Sequence, residues 1–262
     1  MNMNFNLILS GGAALGYAHI GVLEYLHEKE LTPKSFHGVS MGAIVSAVEA
    51  SDLTFEEKQK LYEDVFSSLK WIKLSLDGNL ISTKKIEKIL SNIFKDKKIK
   101  DLSKELNIIA TKYHDGSMVI FDKDSDIKVV DAVLASMAVP AVFPPREIDG
   151  KLYVDGYLSS NLPLASVKNS YQNLIVNVTG NNSFKKYDAK ELKELSIFSN
   201  LERSIRILIY NQTKKFLDEF DKDFILIEPD VSGYKTSHFH KFEEIKRVGY
   251  ETAKAILEQN TP

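Results

Sequence analysis

Along the chain, short apolar runs alternate with segments whose apolar positions recur every three or four residues. The runs at 5–9, 36–39, 107–113, 118–121, 174–178 and 224–227 read as strands, most of them apolar at consecutive positions, as strands covered on both faces are. Between them the period changes. His19, Val22, Leu23 and Leu26 fall at i, i+3, i+4 and i+7, one face of a helix that must end before Pro33. Phe198, Leu201, Ile205, Leu208 and Ile209 trace a stripe on a helix of about 20 residues, predicted to pack on the sheet rather than to lie on a membrane. The polar stretch 181–194 before it reads as a mobile loop. Strand and helix in alternation predict an α/β fold with a largely parallel sheet.

With 262 residues and 44% hydrophobic content the chain can fill a sizeable core, and no seam or repeat divides it. One domain over 1–262 is predicted. Lys plus Arg at 34 against Asp plus Glu at 36 leaves no field strong enough for nucleic acid, so any membrane contact must be local. The absence of cysteine removes disulfides, thiolate metal sites and cysteine nucleophiles together, and fits a reducing compartment. The start, MNMNFNLILSGG, has no basic n-region and too short an apolar run for a signal peptide. No apolar stretch reaches the roughly 20 residues a spanning helix needs. The expectation is a cytoplasmic protein, at most peripheral at a membrane. Sequence alone does not decide its oligomeric state.

The first strand runs into Gly11-Gly12-Ala13-Ala14-Leu15-Gly16 and then into the first helix. A glycine-rich turn there presents backbone N–H groups at the positive end of a helix dipole and suits an anion. A nucleotide phosphate loop would continue from Gly16 with Lys and Ser or Thr, but Tyr17 and Ala18 follow. A dinucleotide fingerprint needs glycine where Ala13 stands and an acidic residue about 20 positions on, and Glu28 and Glu30 come too early. The remaining anion is transient, the oxyanion of an acyl-transfer intermediate, which requires a nucleophile nearby.

The second strand supplies one. Gly38-Val39-Ser40-Met41-Gly42 is a G-x-S-x-G pattern between a strand and a helix rich in small residues, the context of a nucleophile elbow. Ser40 then needs a base. His114 lies in a strand-end turn, and His238 and His240 flank Phe239 in a loop predicted to be solvated rather than to hold a metal. A serine, acid and histidine triad stays open beside another candidate, Asp155 in Val154-Asp155-Gly156-Tyr157, with the apolar, proline-rich 135–145 block upstream.

Four blocks in order, the 11–16 loop before His19-Ile20-Gly21-Val22-Leu23, the elbow at 38–42, the 135–145 block, and Asp155-Gly156 before Asn161-Leu162-Pro163, resemble the patatin-like phospholipases over residues 5–180. The resemblance implies a three-layer α/β/α sandwich and a serine–aspartate dyad without histidine that cleaves acyl esters of lipids, with 195–260 completing the same domain. Carried across, Ser40 is the nucleophile and Asp155 the base. Gly11, Gly12 and Ala13 form the oxyanion hole, and Gly16, Gly38, Gly42 and Gly156 support the loop and elbow. A soluble carboxylesterase or thioesterase, or a non-catalytic lipid-binding protein, are the alternatives on the same fold. No metal and no cofactor are expected.

This chain departs from the family pattern at three positions. Ala13 replaces a third glycine, and its N–H can donate if its φ is negative. Leu15 replaces a basic residue, which removes a cation near the site, and Tyr157 follows Asp-Gly where a small residue is usual and narrows the pocket. The pocket itself is expected to be concave and apolar. Trp71, in the interleaved apolar and basic run 69–74, is predicted to be a partly buried aromatic rather than a lid or interfacial anchor. Asp122-Lys123-Asp124-Ser125-Asp126 imitates the start of a calcium loop but lacks its glycine and its final glutamate, and reads as a solvated turn.

Overall fold

The computed structural model describes residues 4–69, 83–184, 188–193 and 195–259. Trp71 and its neighbours lie outside the described residues. Eight strands form one sheet: β1 (Phe5–Leu9), β2 (Ser35–Val39), β3 (Glu105–Lys112), β4 (Met118–Phe121), β5 (Arg146–Ile148), β6 (Lys151–Asp155), β7 (Gln172–Val176) and β8 (Phe224–Ile227). Their order is β5-β6-β3-β2-β1-β7-β8, with β4 also paired to β3. The β3-β2-β1-β7-β8 part is parallel, and β4, β5 and β6 pair antiparallel. The result is a mainly parallel sheet between two helix layers, a three-layer α/β/α sandwich.

Alternation along β1 builds the two layers. Phe5, Leu7 and Leu9 join the large core with α1 (Tyr17–Glu28), α2 (Met41–Ala50), α5 (Val129–Ser136) and α8 (Phe242–Gln259). Ile8, between them, points to the other face and packs with Ile175, Leu162 and Leu164 under Phe216 and Leu217 of α7 (Ile197–Asp218). α3 (Phe55–Leu69) and α4 (Lys84–Phe94) extend the first layer through buried Tyr62, Phe66 and Leu90. α1 and α8 cross with their backbones in contact: a Cβ at Gly21 would lie 1.8 Å from the Lys246 carbonyl oxygen, and one at Gly249 2.0 Å from that of Ala18.

Several expectations need adjusting. The 5–9, 118–121 and 224–227 strands stand as read, whereas the seventh runs two residues earlier than 174–178. β5 and β6, absent from the predicted strands, form an antiparallel hairpin that ends the sheet on one side. The stripe is only partly covered between 201 and 209. Leu201 and Leu208 are exposed, and the helix rests on the sheet through Thr213, Phe216 and Leu217. The described part of 181–194 holds two short helical turns, Asn181–Ser183 and α6 (Ala189–Lys193). Asp122 is not solvated: it is buried, caps its own turn through Ser125 and the Asp124 N–H, and pairs with Lys168 at 2.8 Å. Among the described residues no helix is long and apolar enough to cross a membrane.

The chain steps from β1 outward to β2 and β3, then returns to place β7 on the other side of β1. That reversal is a topological switch point, the place at the carboxyl ends of the strands where open α/β sheets bind ligands, and the glycine loop follows β1 there.

Candidate active site

Ser40 is the single residue between β2 and α2. Its φ of 54° and ψ of −119° lie where an L residue stays only if its surroundings hold it. They do so on both sides: the Ser40 N–H donates to Ser136 Oγ at 2.9 Å, and its carbonyl accepts the Ala43 N–H at 3.0 Å. The bend is tight because two glycines touch. A Cβ on Gly38 would lie 2.3 Å from the Gly42 carbonyl oxygen, and one on Gly42 2.5 Å from that of Leu9.

Strand register brings Asp155 to this bend. Val39 pairs with Ile109 across β2 and β3, so Ser40 is level with Ala110, and Ala110 is the antiparallel partner of Asp155 on β6. β4 takes one side of β3 over Ile108–Thr111, so β2 and β6 meet end to end on the other side, and the two residues face each other where β2 stops. Ser40 Oγ donates to Asp155 Oδ2 at 2.7 Å. The other carboxylate oxygen accepts the Tyr157 N–H at 3.0 Å. The Asp155 N–H donates to the Ala138 carbonyl, and its own carbonyl accepts Thr111 Oγ1, so its backbone is fixed from the 135–145 block and from β3.

Asp155 is fully buried, and Ser40 is only 6% exposed. Burial pushes the Asp155 carboxyl up to about 7, against the opposing pull of the Ser40 and Tyr157 hydrogen bonds. A carboxylate desolvated in this way is far more basic than one in water. Tyr157 stands beside it partly buried, its phenol pushed up to about 12 by desolvation and then by the nearby carboxylate.

The glycine loop passes alongside. A Cβ on Gly11 would come within 3.3 Å of Ser40 Cβ, and one on Gly12 would meet Val178 at 2.5 Å, so no side chain fits at either position without displacing a neighbour. Gly16 and Gly156 are close-packed in the same sense, under Met41 and against the Ile109 carbonyl. The donor set differs from the expected one. Gly11 gives its N–H to the Asn161 carbonyl at 3.3 Å, so that N–H is engaged within the protein. The N–H groups of Gly12 and Ala13 have no partner among the described residues. Ala13 has φ 48° rather than a negative value, because the chain turns there into the 3-10 helix Ala13–Gly16. Its N–H stays available, since Gly12 sets that direction. Leu15, in place of a basic residue, is fully buried in the apolar core.

No histidine hydrogen-bonds to Ser40 or Asp155 among the described residues. His114 is exposed in its turn, and His238 Nδ1 accepts the Lys235 N–H while its ring packs near that of His240. Two histidines are buried outright: His37 bridges Ser35 and Ser166, and His19 bonds the Ser10 carbonyl. A cavity of about 240 Å³ between α7 and the 232–238 loop, lined by Phe184, Glu202, Arg203, Arg206 and Tyr234 among others, includes neither Ser40 nor Asp155 and is more polar than the expected apolar pocket.

Three supports escaped the sequence reading: Ser136, inside an apolar run; Asn161, noted only as part of a motif; and His19, counted as one of a helix's apolar positions. None differs in sequence from an ordinary packing residue.

A family model described as patatin-like phospholipase matches residues 7–168. An uncharacterized NTE family protein of Mycobacterium tuberculosis is 31% identical over 180 residues, which cover 68% of this chain and 49% of that protein. The lysophospholipase nte1 of Aspergillus fumigatus is 25% identical over 97% of this chain and 18% of its own length. A triacylglycerol lipase of Schizosaccharomyces pombe, ptl3, is 55% identical over 47 residues, 18% of this chain and 10% of its own. The chain thus spans about half the length, or less, of these curated relatives. Among solved structures, VipD from Legionella pneumophila superposes with a TM-score of 0.58 at 16% identity, covering 98% of this chain and 67% of that one, a likeness of fold.

Proposed function

The chain belongs to the patatin-like phospholipase family, and from that premise we propose that it is a lipid acyl hydrolase of the phospholipase A or lysophospholipase type, working through Ser40 and Asp155 without a histidine. The names of its lipase and lysophospholipase relatives support lipid ester hydrolysis. One observation carries the mechanism: the 2.7 Å hydrogen bond from Ser40 Oγ to a carboxylate buried deeply enough to act as a base near neutrality.

As Ser40 Oγ attacks the ester carbonyl, Asp155 takes its proton. The carbonyl oxygen becomes an oxyanion facing the Gly12 and Ala13 amides, held in place beforehand and therefore effective in a dry site. The intermediate collapses, Asp155 returns the proton to the departing alcohol, and the acyl group stays on Ser40. Water attacks this ester as Asp155 takes its proton, and when the second intermediate collapses Asp155 returns that proton to Ser40 Oγ and the fatty acid leaves.

Labelling by a fluorophosphonate probe, lost in Ser40→Ala, is the expected result. Turnover compared across vesicle phospholipid, lysophospholipid, triglyceride and soluble esters assigns the substrate, and turnover of soluble esters alone makes the protein a carboxylesterase instead. Asp155→Asn should abolish turnover and His238→Ala should not; loss in the histidine variant only would defeat the dyad.

A further inference from the structure

The Ser10 carbonyl and the Gly11 N–H belong to one planar peptide group. Both ends of that plane are held. The carbonyl accepts a hydrogen bond from His19 Nε2 at 2.9 Å, and the N–H donates to the Asn161 carbonyl at 3.3 Å. Ser10 is fixed further by its N–H on the Val176 carbonyl at 3.1 Å and by its Oγ, which accepts the Val178 N–H at 3.0 Å. The next two N–H groups along the chain, those of Gly12 and Ala13, have no partner among the described residues. We propose that His19 is a positioning residue for the oxyanion loop, locking the peptide between Ser10 and Gly11 so that the two free amides point at one place.

This rests on the serine hydrolase reading above, and three features favour it over simple packing. First, two adjacent glycines leave the loop many conformations, so donors aimed in advance require an external hold. Second, the ring is wedged where it can provide that hold: a Cβ on Gly16 would lie 3.4 Å from His19 Cδ2, and Gly16 in turn sits under Met41, the residue after Ser40. Third, a carbonyl accepts only from Nε2–H, which leaves Nδ1 as a bare acceptor, and Nδ1 is buried with no partner among the described residues. A leucine at 19 would fill the volume with no such orphan. Burial lowers the ring to about 4, so the donor stays neutral and unchanged while Asp155 titrates near 7.

The test compares His19→Gln, whose side-chain amide can stand in for Nε2–H, with His19→Leu, which cannot donate. Turnover of a soluble ester, inhibition by a trifluoromethyl ketone that mimics the tetrahedral intermediate, and melting temperature are measured on each. His19→Leu should lose on the order of 100-fold in kcat, with KM within about threefold, and should bind the ketone more weakly by a similar factor. His19→Gln should recover most of both. Unchanged kcat and ketone affinity in His19→Leu overturn the positioning role, and so does a folded His19→Gln as impaired as the leucine variant. On the wild-type protein, nitrogen-15 NMR should show a neutral His19 ring with a slowly exchanging Nε2–H; an Nδ1–H ring overturns the proposal even if neither variant folds. Wild-type protein that neither turns over esters nor is labelled at Ser40 overturns the hydrolase reading and this role with it, whereas active wild type with an unaffected His19→Leu overturns this role alone.

Discussion

Ser136 Oγ accepts the N–H of Ser40 at 2.9 Å and donates its own hydrogen to the Ile109 carbonyl at 2.6 Å. One hydroxyl therefore ties the bend after β2 to the strand beside it, at the residue with the unusual φ. Because every atom involved is buried, nothing replaces the hydroxyl when it is removed. Ser136→Ala should cost about 1–3 kcal/mol of stability, the penalty of stranding a buried donor and acceptor. It should also lower kcat by roughly tenfold or more, since a small displacement of the attacking oxygen is enough to slow the reaction. Urea denaturation and steady-state kinetics on the same preparation check both. A variant unchanged in either would mean that Gly38 and Gly42 alone hold the bend.

In the proposed reaction the buried carboxylate sets the pH dependence. Asp155 must be ionised to accept the Ser40 proton, and burial raises its pKa from 3.8 to about 7. The rate should therefore fall as pH drops through about 7, with kcat/KM describing a single ascending limb in the free enzyme. A limb near 4 would mean that the carboxylate is solvated during turnover. Asp155→Asn should remove the limb together with the activity.

The same displacement predicts that the site works against the fold. In native protein Asp155 holds its proton up to about pH 7, whereas in the unfolded chain it releases it near 3.8. Its contribution to stability is thus fully present below about 3.8 and is lost as pH rises through about 7. At 1.36 kcal/mol per unit, the upper bound on that loss is on the order of 4 kcal/mol. Asp155→Asn should consequently melt several degrees above wild type at pH 8, with the advantage shrinking toward pH 5 as the wild-type carboxyl becomes protonated. Calorimetry at the two pH values reads it, and equal melting points at pH 8 would refute it.

Much of this arrangement is legible in the residues because it rests on local rules. The apolar run of β1, the glycines after it, and the serine between two glycines after β2 each announce an element boundary. What escapes is decided by register and by packing. β6 opens with the exposed Lys151 and Leu152, so its short sequence lacks the apolar signature of a covered strand. The hairpin's own mark is present: Asp149-Gly150, both with positive φ, is the dipeptide that favours the turn joining β5 to β6. The pairing of Ala110 with Asp155 cannot be read from either strand alone, yet it brings Asp155 to Ser40. His19 and Ser136 fit an apolar face as well as a valine or an alanine would, so periodicity hides their polar work. The exposed Leu208 on α7 errs the other way, since apolar spacing marks a face without saying what covers it.

Ala13 offers the most direct test of the oxyanion loop. Its φ of 48° is a conformation that costs an L side chain roughly 1–2 kcal/mol and costs glycine none of that steric penalty. Ala13→Gly removes the strain but gives the unfolded chain more freedom, a term of about 0.5–1 kcal/mol in the opposite direction. The net effect on stability should be a small gain, with turnover within about twofold of wild type because the N–H is retained. Ala13→Pro does the reverse. Proline fixes φ near −65° and has no N–H, so it both forbids the turn into the 3-10 helix Ala13–Gly16 and deletes a donor. Losing one such donor is worth about 2.7–4 kcal/mol in acyl-transfer sites, or 100- to 1,000-fold in kcat. Ala13→Pro should therefore lose at least that much turnover, and ketone affinity should fall with it. If Ala13→Pro folds and still turns over at the wild-type rate, the oxyanion is held elsewhere, and the amide of Met41, at the start of α2 next to Ser40, becomes the donor to examine.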